Sequence, residues 1–201
     1  MTAIDWPERI RRGLWGEDLA LRRHRYPVGP RNTWSNLSFA LAAVWVALSQ
    51  VGDVRLVFAV ALLLLAIGSA GYHAFKTTFW NNVDWAGMGA KMSVLVVNGI
   101  ARNAEGLALG AFTVGVVAAM LIAQHMHFDK VMGGLAIAAL ITTYLNGDAL
   151  LATVSLVCYA LALLAWHADK KGWRIIGLYG HAAWHCLAAA GGALLFAAQQ
   201  G

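Results

Sequence analysis

Residues 54–75 read VRLVFAVALLLLAIGSAGYHAF, with one arginine near the start, one histidine near the end and no charge between them. A bilayer core about 30 Å thick is crossed by ~20 apolar helical residues. The stretch therefore predicts a transmembrane helix. Six more stretches of this kind surround it: Thr33–Val51 before, then Val83–Ala101, Glu105–Gln124, Asp129–Leu145, Gly147–His167 and Trp173–Ala198. Asp129–Leu145 is the shortest and is interrupted by Gly133-Gly134. The ~10-residue alternation of a barrel strand is absent. The expected fold is an all-α seven-transmembrane bundle over residues 33–201, preceded by a polar, arginine-rich segment over 1–32.

Composition agrees. The 201 residues are 60% hydrophobic and 12% charged, with a mean hydropathy of +0.61. Soluble domains carry about 25% charged residues. A disordered chain, an ordinary soluble enzyme and a nucleic-acid binder are all disfavoured. The net charge of +5 is a matter of position. Arg9, Arg11, Arg12, Arg22, Arg23, Arg25 and Arg31 precede the first apolar stretch, a membrane-flanking pattern. With the N-terminus in the cytoplasm, twelve basic residues fall in inside segments and only Arg55 and Arg102 outside. The positive-inside rule then predicts a cytoplasmic N-terminus and an external C-terminus. No cleavable signal peptide is expected, since the first thirty residues lack an apolar core. Trp6, Ile10, Leu14 and Leu21 share one helical face there, which suits a surface-lying helix or a solvated tail. Cys158 and Cys186 read as small core residues.

Ionisable groups inside a span are costly and usually mark a site. Here they are Ser69-Ala70-Gly71-Tyr72-His73 late in the second span, Asp84 early in the third, and His181-Ala-Ala-Trp-His185 early in the seventh. The predicted topology brings all of them to the cytoplasmic half. Histidines at i and i+4 share one helix face, a spacing that suits two imidazoles on one metal ion. His73 would supply a third. Zinc with three protein ligands keeps a fourth position for water and lowers the pKa of that water to roughly 7. Asp84 fits as general base or as a hydrogen-bond partner behind one of the ligands, and Ser69, one turn from His73, as a donor to a developing oxyanion or a holder of the water. Each piece also has a plainer reading: the histidines as satisfied bundle groups, Ser69 as packing, Asp84 as a helix N-cap, and Asn32, Thr33 and Ser35 as a cap for the first helix. Their joint occurrence at one depth favours the site. Lys91, seven residues after Asp84, reads three ways: facing a cavity, neutralising Asp84, or reaching for an interface. His125 and His127 read as loop residues. Trp80, Trp85, Trp166, Trp173 and Tyr179 read as an aromatic belt.

The combined motif resembles the alkaline ceramidases and, more widely, the CREST superfamily of seven-span membrane hydrolases. The matching residues are Asn32-Thr33-Trp34-Ser35-Asn36, then Ser69-x-x-x-His73 with Asp84 eleven residues on, then His181-x-x-x-His185. They cover the first, second, third and seventh spans. The resemblance implies zinc on His73, His181 and His185, with Ser69 and Asp84 beside its water. Asn32, Ser35 and Asn36 would give structural support. The implied reaction is hydrolysis of an acyl bond, amide or ester, in a ceramide-like membrane lipid. Two departures stand out. The segment before the first span has only Glu17 and Asp18 among its arginines, and Gly29 stands where the family has a glutamate, which puts a calcium site in doubt. The Asp84-Trp85-Ala86-Gly87-Met88 neighbourhood also lacks the family's acidic residue and proline. The alanine-, glycine- and arginine-rich composition suits a multi-pass protein of a bacterial inner membrane. Two other functions compete: a receptor or sensor with a structural zinc and no turnover, and a haem bundle. In the haem reading His181 and His185 share one face and cannot be the two axial ligands of one haem; a colourless protein would remove that reading and a Soret band would revive it.

Overall fold

Backbone polar groups in lipid must pair within the chain, and the apolar runs do so as helices. The structure, a computed structural model, describes residues 30–50, 52–122, 128–170, 174–175 and 178–200. The order is α1 (Pro30–Ser35), α2 (Leu37–Ser49), α3 (Val54–Phe75), α4 (Thr78–Ile100), α5 (Glu105–Ile122), α6 (Phe128–Asn146), α7 (Ala149–Lys170), β1 (Arg174–Ile175), β2 (Leu178–Tyr179) and α8 (Gly180–Ala198). Apart from the two-residue antiparallel ladder of β1 on β2, the described residues are helical wherever they are regular. The expectations for the N-terminal arginines before Arg31, the surface helix, Glu17, Asp18, Gly29, His125, His127, Lys171 and Trp173 lie outside the described residues.

Several boundaries differ from the sequence reading. The first span is broken at Asn36 into α1 and α2, and the expected boundary between 32 and 33 falls inside α1. The third helix begins earlier, at Thr78, because the Thr77 side chain accepts from the Trp80 amide at 3.4 Å and caps it. Asp84 is therefore not the N-cap. It sits at the second turn, free for another role. Gly133 and Gly134 do not interrupt α6. Near the start of the last span β1 pairs with β2, and α8 opens only at Gly180.

Among the described residues, three helices are long and apolar enough to cross a membrane: Val54–Phe75, Ala149–Asp169 and Gly180–Ala198. α7 turns Leu150, Val157, Leu161, Leu163 and Leu164 outward, an apolar surface that suits lipid rather than water. Cys186 is also exposed, not a core residue as expected. α4 falls outside that group for a physical reason. It packs against α3, α5 and α6 and buries Asn82, Lys91 and Asn98. A helix screened by protein on several sides has no need to be apolar.

The core is built where α3 meets α8 and α4. Phe58 stacks on Phe196 with ring centres 4.6 Å apart, among buried Leu62, Leu65, Leu95 and Leu195. α3 and α4 approach backbone to backbone, because a Cβ at Gly68 would lie 2.5 Å from the Asp84 nitrogen and 2.6 Å from the Val83 carbonyl carbon. Small residues permit such contacts between membrane helices. This one sets Asp84 beside Ser69, the residue after Gly68. At the other end of α4, Asn98 Nδ2 donates to Gln199 Oε1 (3.0 Å), and Gln199 Nε2 donates to the Leu95 carbonyl (2.8 Å) and to Thr143 Oγ1 (2.9 Å). These bonds join α4, α6 and the end of α8. α4 and α8 thus run in the same direction. Along α4, Asp84, Lys91 and Asn98 recur every seven residues; along α8, His185, Gly192 and Gln199 do the same. Seven residues make about two turns, so each set lines one face.

Candidate metal centre

The C-terminal end of α3 and the first two turns of α8 bring three imidazoles together. The ring centres of His73, His181 and His185 stand 4.7 Å (His73–His181), 5.1 Å (His73–His185) and 4.7 Å (His181–His185) apart. One nitrogen from each lies within 4.8 Å of the others. His73 and His185 are buried and His181 partly so. The expected i, i+4 face of α8 is therefore directed at α3, and the three residues could hold one metal ion.

Hydrogen bonding fixes which nitrogen of His185 is available. Ser35 Oγ donates its one proton to the Asn32 carbonyl at 3.0 Å. It must then accept from His185 Nδ1, 2.6 Å away. Nδ1 carries the hydrogen, so Nε2 presents a bare lone pair. That Nε2 is buried and has no hydrogen-bond partner among the described residues. A buried acceptor left unmatched is destabilising, and a metal ion at the meeting point of the three rings would satisfy it. Asn36 Nδ2 donates to the same Asn32 carbonyl at 2.7 Å and holds it in place. Ser35 thus meets His185 directly, with the Asn32 carbonyl behind it and Asn36 bonded to that carbonyl. The break at Asn36 is what turns α1 toward α8.

His181 directs Nδ1 toward Asp169 Oδ2 at 3.9 Å, at the end of α7. A carboxylate facing the outer nitrogen of a metal-binding histidine is a recurring arrangement. His181 Nε2 lies 3.0 Å from His73 Nε2. His73 is different, because Lys76 Nζ lies 3.0 Å from its Nδ1. An ammonium there donates, which places the His73 hydrogen on Nε2, pointing at His181. Two histidines stand ready for a metal and the third is held in the other tautomer by Lys76. Lys76 caps α3 in the left-handed conformation (φ 53°) and lies over the Tyr72 ring at 4.2 Å. Burial pushes its ammonium below the usual lysine range, with Asp84 opposing the shift.

Ser69 is buried on α3, and its side chain hydrogen-bonds Asp84. Among the described residues no hydrogen bond joins either of them to a histidine. The expected residues therefore form two groups, a histidine centre and a Ser69–Asp84 pair, with Lys76 between them. Sequence reasoning missed Lys76 and Asp169 as parts of the site. Lys76 had a usable signal, its i+3 spacing from His73; Asp169 had none, since only the packing of α7 on α8 brings it near. No family model matches the sequence, and no curated protein matches it. The class is thus set by the chain itself: a helical, membrane-type protein with a candidate three-histidine metal site.

Proposed function

We propose that the chain is a seven-span intramembrane zinc hydrolase, similar to the alkaline ceramidases, that cleaves an acyl bond of a membrane lipid. The observation that carries the reading is the bare, buried Nε2 of His185 facing His73 and His181. Five further helices join the two that bear the histidines in the seven-span reading, with α1 and α2 counted as one broken span, the N-terminus inside and the C-terminus outside. The donor set favours zinc, which takes three imidazoles in catalytic sites. Zinc held there supplies a Lewis acid for the acyl oxygen and water of lowered pKa.

The chain's own residues do the rest. Ser35 and Asn32 hold the His185 ring, and Asp169 faces that of His181. Asp84 takes the proton of the attacking water and passes it to the leaving nitrogen or oxygen. Ser69 donates to Asp84 in the resting state and turns to the acyl oxygen as charge develops there. Low-dielectric surroundings make each of these interactions stronger than in water. The acyl chain lies along the apolar interior between helices.

Elemental analysis of detergent-purified protein tests the metal: about one zinc per chain in wild type and none in His181→Ala. Release of fatty acid from a fluorescent N-acyl lipid by wild type, lost in Asp84→Asn that still holds zinc, tests the chemistry. Zinc with no hydrolysis of any amide or ester lipid leaves the sensor reading. A well-folded wild type that binds no zinc on re-addition ends both.

A further inference from the structure

Lys91 lies midway along α4 and is buried. Among the described residues no hydrogen bond or ion pair engages its ammonium. Its neighbours are two aromatic faces, with Nζ 5.8 Å from the ring centre of Phe39 and 5.7 Å from that of Tyr159. Asp84, two turns back on the same face of α4, acts on Lys91 only through its field and is engaged by Ser69. Opposite Lys91 stands Gly192. A Cβ there would lie 3.3 Å from the Tyr159 hydroxyl and 3.9 Å from Lys91 Nζ. Both polar tips therefore converge on a position of α8 that has no side chain to meet them. The Tyr159 hydroxyl is itself buried and has no hydrogen-bond partner among the described residues.

A lysine buried over most of its length with no ion pair among the described residues, beside a buried phenol, is costly to keep. Lysine only donates and tyrosine can donate, so oxygens of an anion would complete both. The place also fits the histidine centre. The Phe39 ring that faces Lys91 also faces His185, with ring centres 6.0 Å apart. Gly192 is two turns below His185 on the same face of α8. The two positions are seven residues apart on α8, about 10 Å, a length that one amphiphile can bridge.

We propose that Lys91 and Tyr159 form an anion site inside the bundle that takes the carboxylate or phosphate of an acyl-bearing amphiphile. This deepens the hydrolase reading and rests on it for the ligand's acyl bond. The acid belongs either to the headgroup of the lipid or to the fatty acid after release.

The test is binding, followed by quenching of tryptophan fluorescence in detergent micelles, so that turnover is not required. The probes are N-oleoylglycine, its neutral analogue N-oleoylethanolamine, and oleate. Wild type is expected to bind N-oleoylglycine or oleate at least about tenfold tighter than the ethanolamide, the scale of one charge-assisted hydrogen bond. Lys91→Met should abolish that preference without weakening the ethanolamide, and Tyr159→Phe should reduce it. Thermal melting of both variants checks the fold. N-oleoylglycine tighter than oleate assigns the acid to the headgroup; the reverse assigns it to the released product. Equal binding of acid and neutral ligand by wild type overturns the proposal, as does a preference that survives Lys91→Met. A preference that vanishes in metal-free His181→Ala also overturns it, since the metal would then be reading the acid. A preference retained in that variant, beside a zinc-loaded wild type that hydrolyses no acyl lipid, keeps the anion site and ends the hydrolase reading instead.

Discussion

Lys76→Gln should make the histidine centre bind zinc more tightly. The native ammonium lies 3.0 Å from His73 Nδ1 and opposes the ion in two ways. It donates to Nδ1, which keeps the His73 hydrogen on the nitrogen a metal needs. It also repels the ion. Adding the width of an imidazole and a Zn–N bond to that contact puts a bound ion roughly 7 Å from Nζ. Single and double charges at ~7 Å repel by about 1 kcal/mol in water and about 5 kcal/mol at an effective dielectric of ~20. Lys76 is partly buried, so the repulsion lies between these figures, and binding should tighten at least about tenfold. Glutamine keeps an oxygen that can accept from Nδ1–H. The assay is competition with a chromophoric chelator in detergent, wild type beside variant. The sign with pH follows. The loaded centre needs Lys76 neutral or turned away, so it holds fewer protons than the empty one. Wild-type affinity should therefore rise with pH from about 7 upward and level off as Lys76 passes its lowered pKa. Lys76→Gln should be flat over that range. Unchanged or weaker zinc binding in Lys76→Gln would refute the tautomer argument.

Ser35→Ala removes the acceptor that orients His185, and zinc affinity in the same competition should fall roughly tenfold, the usual scale for such outer partners. Asp84→Asn should keep its zinc yet lose about a hundredfold or more in acyl hydrolysis, read as fatty acid released per minute. Gly68→Ala should destabilise the protein by about 1–3 kcal/mol in a detergent melt, because the added methyl meets the α4 backbone, which cannot move aside. Gly134→Ala, with nothing within 4 Å of the new methyl, should be neutral or up to about 1 kcal/mol stabilising.

Hydropathy made the helices legible because lipid-type surroundings leave few options for an apolar run. It was blind to interruptions decided by hydrogen bonds. The break at Asn36 exists because the Asn32 carbonyl gathers the Asn36 amide and the Ser35 hydroxyl. The earlier start of α4 exists because Thr77 caps it. The histidines were legible through spacing, since His181 and His185 share a face in any helix. Their union with His73 needed the topology, which the apolar runs supplied. Ser35 was placed as support by resemblance, but its proton bookkeeping with His185 appears only in coordinates. Asp169 and Tyr159 were invisible, because their roles come from α7 packing on α8 across ten or more intervening residues. Lys91 was legible as an anomaly and illegible as to its surroundings.

The triply bonded amide of Gln199 has a consequence for the far half of the molecule. It fastens α4, α6 and the end of α8 at the level opposite the histidines. In the seven-span reading it acts as a plug. On that reading these bonds would close the end of the bundle away from the histidines and make it a blind-ended well rather than a conduit. Gln199→Ala would unseat the plug and leave Asn98 and Thr143 to recruit water from the other leaflet. A hydrolase of the proposed kind, built this way, would confine its chemistry to one side of the membrane and leave the ion gradient across it undisturbed.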